Sequence, residues 1–417
     1  MATDATTDPT TDPTTDPTTT SRSKHSRART SRVEEIDGLR GWAALVVVAF
    51  HVWPEVFAKL HPMIMQPKWY LFLDGPLAVY VFFILSGDAL STPWFNARSS
   101  GRSVLPRMVL KRYFRLALPI FVMTLVSYVA ITAGATHSTV ASRLVNNVSW
   151  LGTFFDFHAR PTDVVSYPFF GAFFAGPWPV GNYNQFLWTM PIELAGSLLV
   201  FVYLGCYGAL KRGTLTTTAL IVFMFIWNPY YSLFFVGILF ADLRASGRLD
   251  TLRQSWLVRC VGPGLVFLCW LLDYELRKTP PVVDPHSAWQ HVRLWVQNHE
   301  MYLEGLLLVA GVYLSRDLVR LFRGPVARFV GRISFPVYLW QFLVIGTVES
   351  ELIIHFSRHL RNGTTCALIA IAAFGVTVVV AYGVSFVENA LLRGLDRVVS
   401  ALLSGPVADR ADGRQDG

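Results

Sequence analysis

Long apolar stretches recur along most of the chain, and they restrict its fold more than any other feature. A helix needs about 20 predominantly apolar residues to cross the hydrocarbon core of a bilayer. Such runs predict helices, because a helix satisfies its own backbone groups inside the membrane. The sequence therefore predicts an all-α, polytopic membrane protein with about ten transmembrane helices. The predicted spans are 39–58, 70–91, 116–134, 183–207, 214–229, 230–241, 258–272, 301–315, 333–350 and 365–387.

The composition supports this class. Of the 417 residues, 53% are hydrophobic and 15% are charged, whereas soluble domains carry about 25% charged residues. The net charge of +8 lies mainly in short loops between the spans, where Lys and Arg mark the cytoplasmic side. We therefore expect no nucleic-acid partner, both termini in the cytoplasm, and a multi-pass protein of the plasma or inner membrane whose partner is the lipid bilayer.

The ends of the chain differ from its centre. Residues 1–32 repeat Thr-Thr-Asp-Pro and then become basic, which predicts a disordered tail because such a segment cannot bury a core. Residues 33–390 form the predicted membrane domain, and 391–417 a disordered cytoplasmic tail. The four cysteines show no CxxC spacing, and no other ligand cluster is visible, so we expect no disulfide framework and no metal.

The first span carries two ionisable residues. Arg40 and His51 are eleven positions apart, which is three helical turns plus about 20° and a rise of about 16 Å. Both side chains should therefore lie on one face, and Asp37 is spaced to pair with Arg40. Ionisable residues at membrane depth are a functional-site hypothesis by default. The alternative is an anchoring arginine and a structural histidine.

The fourth span carries a carboxylate. Glu193 follows Trp188 within the segment Phe186-Leu187-Trp188-Thr189-Met190-Pro191-Ile192-Glu193. A pair between Glu193 and His51 would orient the imidazole for general-base chemistry. The alternative is a buried structural pair.

Two further motifs flank the second span. Ser86-Gly87 permits close backbone approach by a neighbouring helix or by a ligand. Arg112 and Arg115, in the predicted inner loop 92–115, are three residues apart and should face the same way on a helix. Two guanidinium groups suit a phosphate-bearing ligand, although arginines in such a loop also simply set topology.

The longest predicted outer loop, 135–182, is rich in Phe, Trp, Gly and Pro. Long loops in compact domains are often lids or binding loops, whereas aromatic residues at this depth also form interfacial belts. Both interpretations remain open from the sequence.

Taken in order, these motifs resemble the acyltransferase-3 family of integral membrane O-acyltransferases. Arg40 and His51 match its Arg-x10-His motif, Phe83-x-x-Ser86-Gly87 its FxxSG motif, and Arg112-x-x-Arg115 its RxxR motif. The segment from Trp188 to Glu193 and the segment from Ile333-Ser334 to Trp340 resemble two later motifs. The resemblance covers roughly residues 33–390. Gln341 stands where the family often has His, and Asp88 where it often has an apolar residue.

The resemblance implies transfer of an acyl group from acetyl-CoA or another acyl-CoA to a hydroxyl of a saccharide or small-molecule acceptor, without a metal. We accordingly predict three roles for the motif residues: catalysis, binding of the acyl-CoA donor, and orientation of the other site residues. A transporter or flippase and a non-catalytic membrane partner are the alternatives, and homo-oligomerisation is left open. The predicted catalytic residues are His51, Arg40 and Glu193, the donor-binding residues are Arg112, Arg115, Ser86 and Gly87, and the orienting residues are Asp37 and Trp188.

Overall fold

The computed structural model of the protein describes residues 33–66, 70–97, 101–175, 181–207, 210, 213–279, 281–283 and 286–403. Residues 1–32, the predicted N-terminal tail, and residues 404–417 lie outside the described residues. Within those described ranges the chain forms helices and turns with no strand. The all-α class is confirmed.

Ten long helices form the described part of the chain, and each coincides with one predicted span. Among the residues described, seven are long and apolar enough to cross a membrane, namely α1 to α4, α7, α9 and α10, with α1, α4 and α9 counted together with the helical turns that adjoin them. The other three have 15, 17 and 15 residues, so a total of ten spans stays a prediction. The helices are α1 Glu34–Phe50, α2 Gly75–Asn96, α3 Gly101–Thr132, α4 Met190–Tyr207, α5 Gly213–Trp227, α6 Pro229–Ala245, α7 Trp256–Lys278, α8 Glu300–Leu314, α9 Pro325–Val344 and α10 Gly363–Leu403.

Shorter helical segments connect these ten. The α-helical ones are Ser138–Leu144, Asp163–Ser166, Ala172–Phe174, Arg248–Leu252, Ala288–Asn298, Arg316–Phe322 and Ser350–His355. The 3₁₀ turns are Pro62–Met65, Leu71–Leu73, Leu151–Thr153, Gln185–Thr189 and Ser357–His359. The wider π-helical turns are His51–Glu55, Tyr167–Gly171 and Ile345–Glu349.

Two helices extend beyond their predicted spans. α3 begins at Gly101 rather than at residue 116, so most of the predicted inner loop 92–115 is helical and carries Arg112 and Arg115. α10 continues to Leu403, past the predicted domain boundary at residue 390, so the tail predicted to be disordered over 391–417 is helical in its first part. Hydropathy identifies only the apolar part of a helix, and it therefore misses polar extensions at the membrane edge.

Glycines set the closest helix crossings. A Cβ atom on Gly41 would overlap the backbone of Val330 and Gly331, so α1 and α9 touch there through their backbones. A Cβ atom on Gly87 would overlap the backbone of Phe234 in α6. Of the two readings of the Ser86-Gly87 motif, Gly87 thus serves the approach of a neighbouring helix. These crossings fix α1 and α2, which carry the predicted site residues.

The first helix changes geometry at the histidine. α1 passes directly into the π-helical turn His51–Glu55, which contains Pro54. Proline has no N–H group to continue the α-helical hydrogen-bond ladder, and π-helical turns inside helices often occur at functional sites. His51 is the first residue of this turn.

Candidate active site

Two adjoining cavities contain the motif residues. The first, here the arginine cavity, has a volume of about 210 Å³. The second, here the histidine cavity, has a volume of about 250 Å³ and is lined by His51 and Trp188, among others. Polar and charged side chains line the arginine cavity: Arg40, Arg112, Arg115, Arg332, Ser86, Glu193, Ser334, Ser385, Glu388 and Asn389.

A hydrogen-bonded pair lies where the two cavities meet. Val79, Thr189 and Tyr338 line both cavities. The Tyr338 hydroxyl donates to the backbone carbonyl of Phe186, so the Thr189 hydroxyl, 2.8 Å away, donates to Tyr338. These side chains form the partition, which is the shared lining where the two cavities meet.

His51 is held by a glutamine from α9. Its Nδ1 atom lies 3.1 Å from Oε1 of Gln341, and the Gln341 amide nitrogen donates to the backbone carbonyl of Tyr338 at 3.0 Å. The amide oxygen can only accept a hydrogen bond. Nδ1 therefore carries the proton, and Nε2 presents the lone pair that a general base needs.

Aromatic rings fix the plane of the imidazole. Phe186 stacks on His51 with ring centroids 3.9 Å apart and an interplanar angle of 6°. Trp150 lies beside this pair, with its ring centroid 6.2 Å from those of both other rings, and Phe154 packs edge-on against Phe186. The imidazole thus has a single orientation relative to the cavity.

The predicted outer loop 135–182 contributes to this site through its first part. Trp150 and Phe154 come from it, and Phe154 is fully buried. Phe170 and Phe174, further along, have 65% and 67% of their surface exposed. The loop therefore combines aromatic packing around His51 and Phe186 with an exposed aromatic face, while residues 177–179, which belong to the same aromatic segment, lie outside the described residues.

Glu193 does not pair with His51, so that part of the prediction is wrong. Its carboxylate accepts a hydrogen bond from Ser86 at 2.6 Å and forms an ion pair with Arg112. Arg112 also donates to the Ser197 hydroxyl at 2.9 Å. Glu193 lies on the face of α4 that lines the arginine cavity, so its partners come from α2 and α3.

The two arginines of the RxxR motif are in different situations. Arg112 is engaged by Glu193 and Ser197, and 17% of its side chain is exposed. Arg115 is an exposed residue on the lining of the arginine cavity. The sequence predicted equal roles for them, whereas in the structure Arg112 is largely buried in an ion pair with Glu193 and Arg115 is exposed.

The lining of the arginine cavity has a net positive charge. Four arginines face two carboxylates, those of Glu193 and Glu388, which leaves two positive charges. Arg332 was not among the predicted site residues, although it directly precedes the late motif that begins at Ile333. Tyr338 and Gln341 were also missed as site residues, and their signal was their position in and after that motif.

The remaining predicted residues have packing roles. Trp188 lines the histidine cavity and its ring contacts Tyr230, with centroids 6.3 Å apart. Asp37 lies at the α1–α9 crossing, where a Cβ atom on Gly331 would overlap the Asp37 backbone. Both placements agree with an orienting function without assigning a chemical one.

Comparison with known proteins identifies the family of this arrangement. A family model described as an acyltransferase domain matches residues 33–386. The chain belongs to the acyltransferase-3 family. It is similar to the O-acetyltransferase PaAT-1 of Phomopsis amygdali, with 26% identity over 389 residues that cover 79% of this chain and 76% of the relative. No solved structure matches.

Membership accounts for the convergence of the motifs. All five of these motif residues line one of two adjoining cavities in this membrane acyltransferase, although they come from four helices: Arg40 and His51 from the first helix and its π-helical turn, Ser86 from α2, Arg112 from α3 and Glu193 from α4. A transporter, the alternative left open by the sequence, is not favoured by this assignment.

Proposed function

We propose that this chain is a membrane O-acyltransferase that moves an acyl group, most simply acetyl, from cytoplasmic acyl-CoA to a hydroxyl of a saccharide or small-molecule acceptor. The observation that carries the proposal is the junction of the two cavities at Thr189 and Tyr338. One cavity is cationic and the other presents His51, so two different substrates can meet there. The similarity to an O-acetyltransferase of Phomopsis amygdali supports the same reaction.

The donor is assigned to the arginine cavity. CoA carries several phosphate charges, and guanidinium groups bind phosphate bidentately. Arg115 is exposed on the lining, where its guanidinium group can contact such a ligand. By the predicted topology this cavity faces the cytoplasm, where acyl-CoA is found. The acyl end of the donor then points towards Tyr338.

The acceptor is assigned to the histidine cavity, whose lining of aromatic residues suits a sugar face or an apolar alcohol. The acceptor O–H gives its proton to Nε2 of His51 as its oxygen attacks the thioester carbonyl carbon. Collapse of the tetrahedral intermediate breaks the C–S bond. The protonated imidazole returns the proton to the departing sulfur, which leaves an ester and free CoA. A positioned base of this kind contributes about 10²–10⁴-fold.

Two charged residues support this step from the donor side. We assign Arg40, on the lining of the arginine cavity and about 16 Å along the helix from His51, to a positive potential that favours the negative charge developing on the thioester oxygen. Glu193 is a positioning residue rather than a base, because its carboxylate is engaged by Ser86 and Arg112.

Purified protein in lipid nanodiscs, incubated with [¹⁴C]acetyl-CoA and a panel of methyl glycosides and apolar alcohols, tests the proposal. We expect labelled ester and equimolar CoA release. His51→Ala should lose about 10²–10⁴-fold in rate, whereas His291→Ala, which changes an exposed histidine on the Ala288–Asn298 helix, should keep full activity. Well-folded protein that neither binds acetyl-CoA nor releases CoA would overturn the proposal.

A further inference from the structure

Three buried carboxylates meet at a point that the proposed reaction does not use. Asp74 caps the first turn of α2, Asp273 lies near the end of α7, and Glu304 lies in the second turn of α8. Each residue has 1% of its surface exposed. One oxygen atom from each carboxylate lies within 4.8 Å of the other two. The sequence showed no ligand cluster because these residues come from three distant parts of the chain.

One arginine engages two of the three carboxylates. Arg277 donates to Asp74 and to Asp273, at 2.5 Å in both cases, and the backbone N–H of Leu77 donates to Asp74 at 2.8 Å. The cluster thus contains three carboxylates and one guanidinium, which leaves two negative charges when all three acids are ionised.

Three carboxylate oxygens of this cluster have no hydrogen-bond donor. They are the second oxygen of Asp273 and both oxygens of Glu304, in the part of the chain that the structure describes. Lys278, the nearest lysine in sequence, lies over the ring of Tyr274. An uncompensated buried charge is strongly unfavourable, so the cluster needs a further positive charge aimed at Glu304.

We propose that Asp74, Asp273 and Glu304 form a binding site for a Ca²⁺ ion. Calcium takes oxygen ligands at about 2.3–2.6 Å, so two oxygens on one ion are at most about 5 Å apart, as these are. A divalent ion also balances the two excess negative charges, which a single shared proton does not. Magnesium requires shorter bonds and near-octahedral geometry, so it should bind more weakly.

The site has a route to solvent and a link to the rest of the molecule. Arg277 and Glu300 line an open cavity of about 520 Å³ beside the cluster. Gly75 and Met301 line the histidine cavity, and they lie next to Asp74 and one turn before Glu304, respectively. A bound ion would therefore join α2, α7 and α8 behind one wall of the histidine cavity.

Calcium binding to the full-length protein in detergent, freed of metal with EGTA, tests the proposal directly. Terbium, a luminescent calcium substitute, should show emission sensitised by nearby aromatic rings such as Tyr70, which stacks 3.5 Å from Arg277, and added Ca²⁺ should displace it. Millimolar Ca²⁺ should also raise the melting temperature by at least about 2 °C. The same concentration of Mg²⁺ should have a smaller effect.

Matched variants locate the site. Glu304→Gln should weaken Ca²⁺ binding at least about tenfold, while Glu275→Gln, which removes an exposed carboxylate from α7, should leave it unchanged. Asp273→Asn serves the same purpose if Glu304→Gln fails to fold. A wild-type protein that shows neither terbium emission nor a calcium-dependent melting temperature overturns the proposal. An unchanged calcium affinity of Glu304→Gln also overturns the proposal. The same holds if Glu304→Gln is more stable than the wild type and its melting temperature does not depend on calcium, because the missing positive charge is then a proton on Glu304.

Discussion

Nδ1 of His51 lies 3.1 Å from Oε1 of Gln341, and this contact joins the histidine of the first motif to the position where the family often has a second histidine. Because the Gln341 amide nitrogen is held by the backbone carbonyl of Tyr338, the amide oxygen faces the imidazole. A single side chain from α9 thus sets which imidazole nitrogen can act as a base.

The first prediction removes this contact. Gln341→Leu should lower kcat about 10- to 100-fold, because the imidazole loses the acceptor that fixes its tautomer. The acetyl-CoA KM should change little, since Gln341 does not line the arginine cavity. Gln341→Glu keeps an acceptor oxygen at the same place and should retain more activity than the leucine variant. Steady-state kinetics with both substrates varied measures this, and wild-type kcat in Gln341→Leu would contradict the assignment.

The second prediction concerns the partition between the cavities. Tyr338→Ala deletes the hydroxyl that contacts Phe186 and Thr189 and opens the wall that both cavities share. Water should then reach the thioester, because exclusion of water protects a reactive group in a closed site. We expect acetyl-CoA hydrolysis without acceptor to rise at least about tenfold relative to transfer.

Tyr203→Ala is the matched control for this experiment, since Tyr203 is also a buried tyrosine that bonds a threonine, at 2.7 Å, but lines neither cavity. It should leave the ratio of hydrolysis to transfer unchanged. An unchanged ratio in Tyr338→Ala as well would show that the partition does not exclude water.

The sequence predicted the helices well because hydropathy measures how apolar a segment is, and the ten apolar spans coincide with ten helices. It also named Arg40, His51, Ser86 and Glu193, all of which line the two cavities. It could not predict partners. Whether Glu193 meets His51 or Arg112 depends on how α4 is rotated against α1 and α3, and a one-dimensional pattern does not contain that rotation.

The same limit explains the other differences. Gln341 could be read only as a departure from a motif until the fold placed its amide beside His51. Asp74, Asp273 and Glu304 appeared as isolated acids at span ends, although tertiary packing brings their oxygens together. In each case the missing information is the contact between distant helices.

The third prediction tests the orientation in the membrane. Val165 and Val326 are exposed, with 57% and 61% of their surface accessible, and the distribution of Lys and Arg predicts that residue 165 lies outside and residue 326 inside. In a variant without the exposed Cys206 and Cys260, Val165→Cys should react with an impermeant maleimide added to intact cells. Val326→Cys should react only after permeabilisation. The reverse pattern would place the arginine cavity on the side away from cytoplasmic acyl-CoA.

The last prediction separates the two arginines of the RxxR motif. Arg112→Ala leaves the Glu193 carboxylate without its cation, and breaking a buried ion pair from one side destabilises a protein by about 3–5 kcal/mol. We expect a lower melting temperature and a loss of activity that follows the loss of folded protein. The double variant Arg112→Ala with Glu193→Gln removes the unpaired charge as well and should recover part of that stability.

Arg115→Ala should behave in the opposite way. Its side chain is exposed on the lining of the donor cavity, so its loss should leave the melting temperature unchanged. A charge-assisted hydrogen bond contributes about 1.5–3 kcal/mol, which corresponds to an increase in the acetyl-CoA KM of about tenfold or more, with kcat changed less. Arg115→Lys should restore the KM only in part, because lysine lacks the bidentate fork. Donor-titration kinetics together with thermal unfolding distinguishes the two residues. An unchanged acetyl-CoA KM in folded Arg115→Ala would remove the phosphate contact from the proposed mechanism. Wild-type stability of Arg112→Ala would remove the structural role given to the ion pair between Arg112 and Glu193.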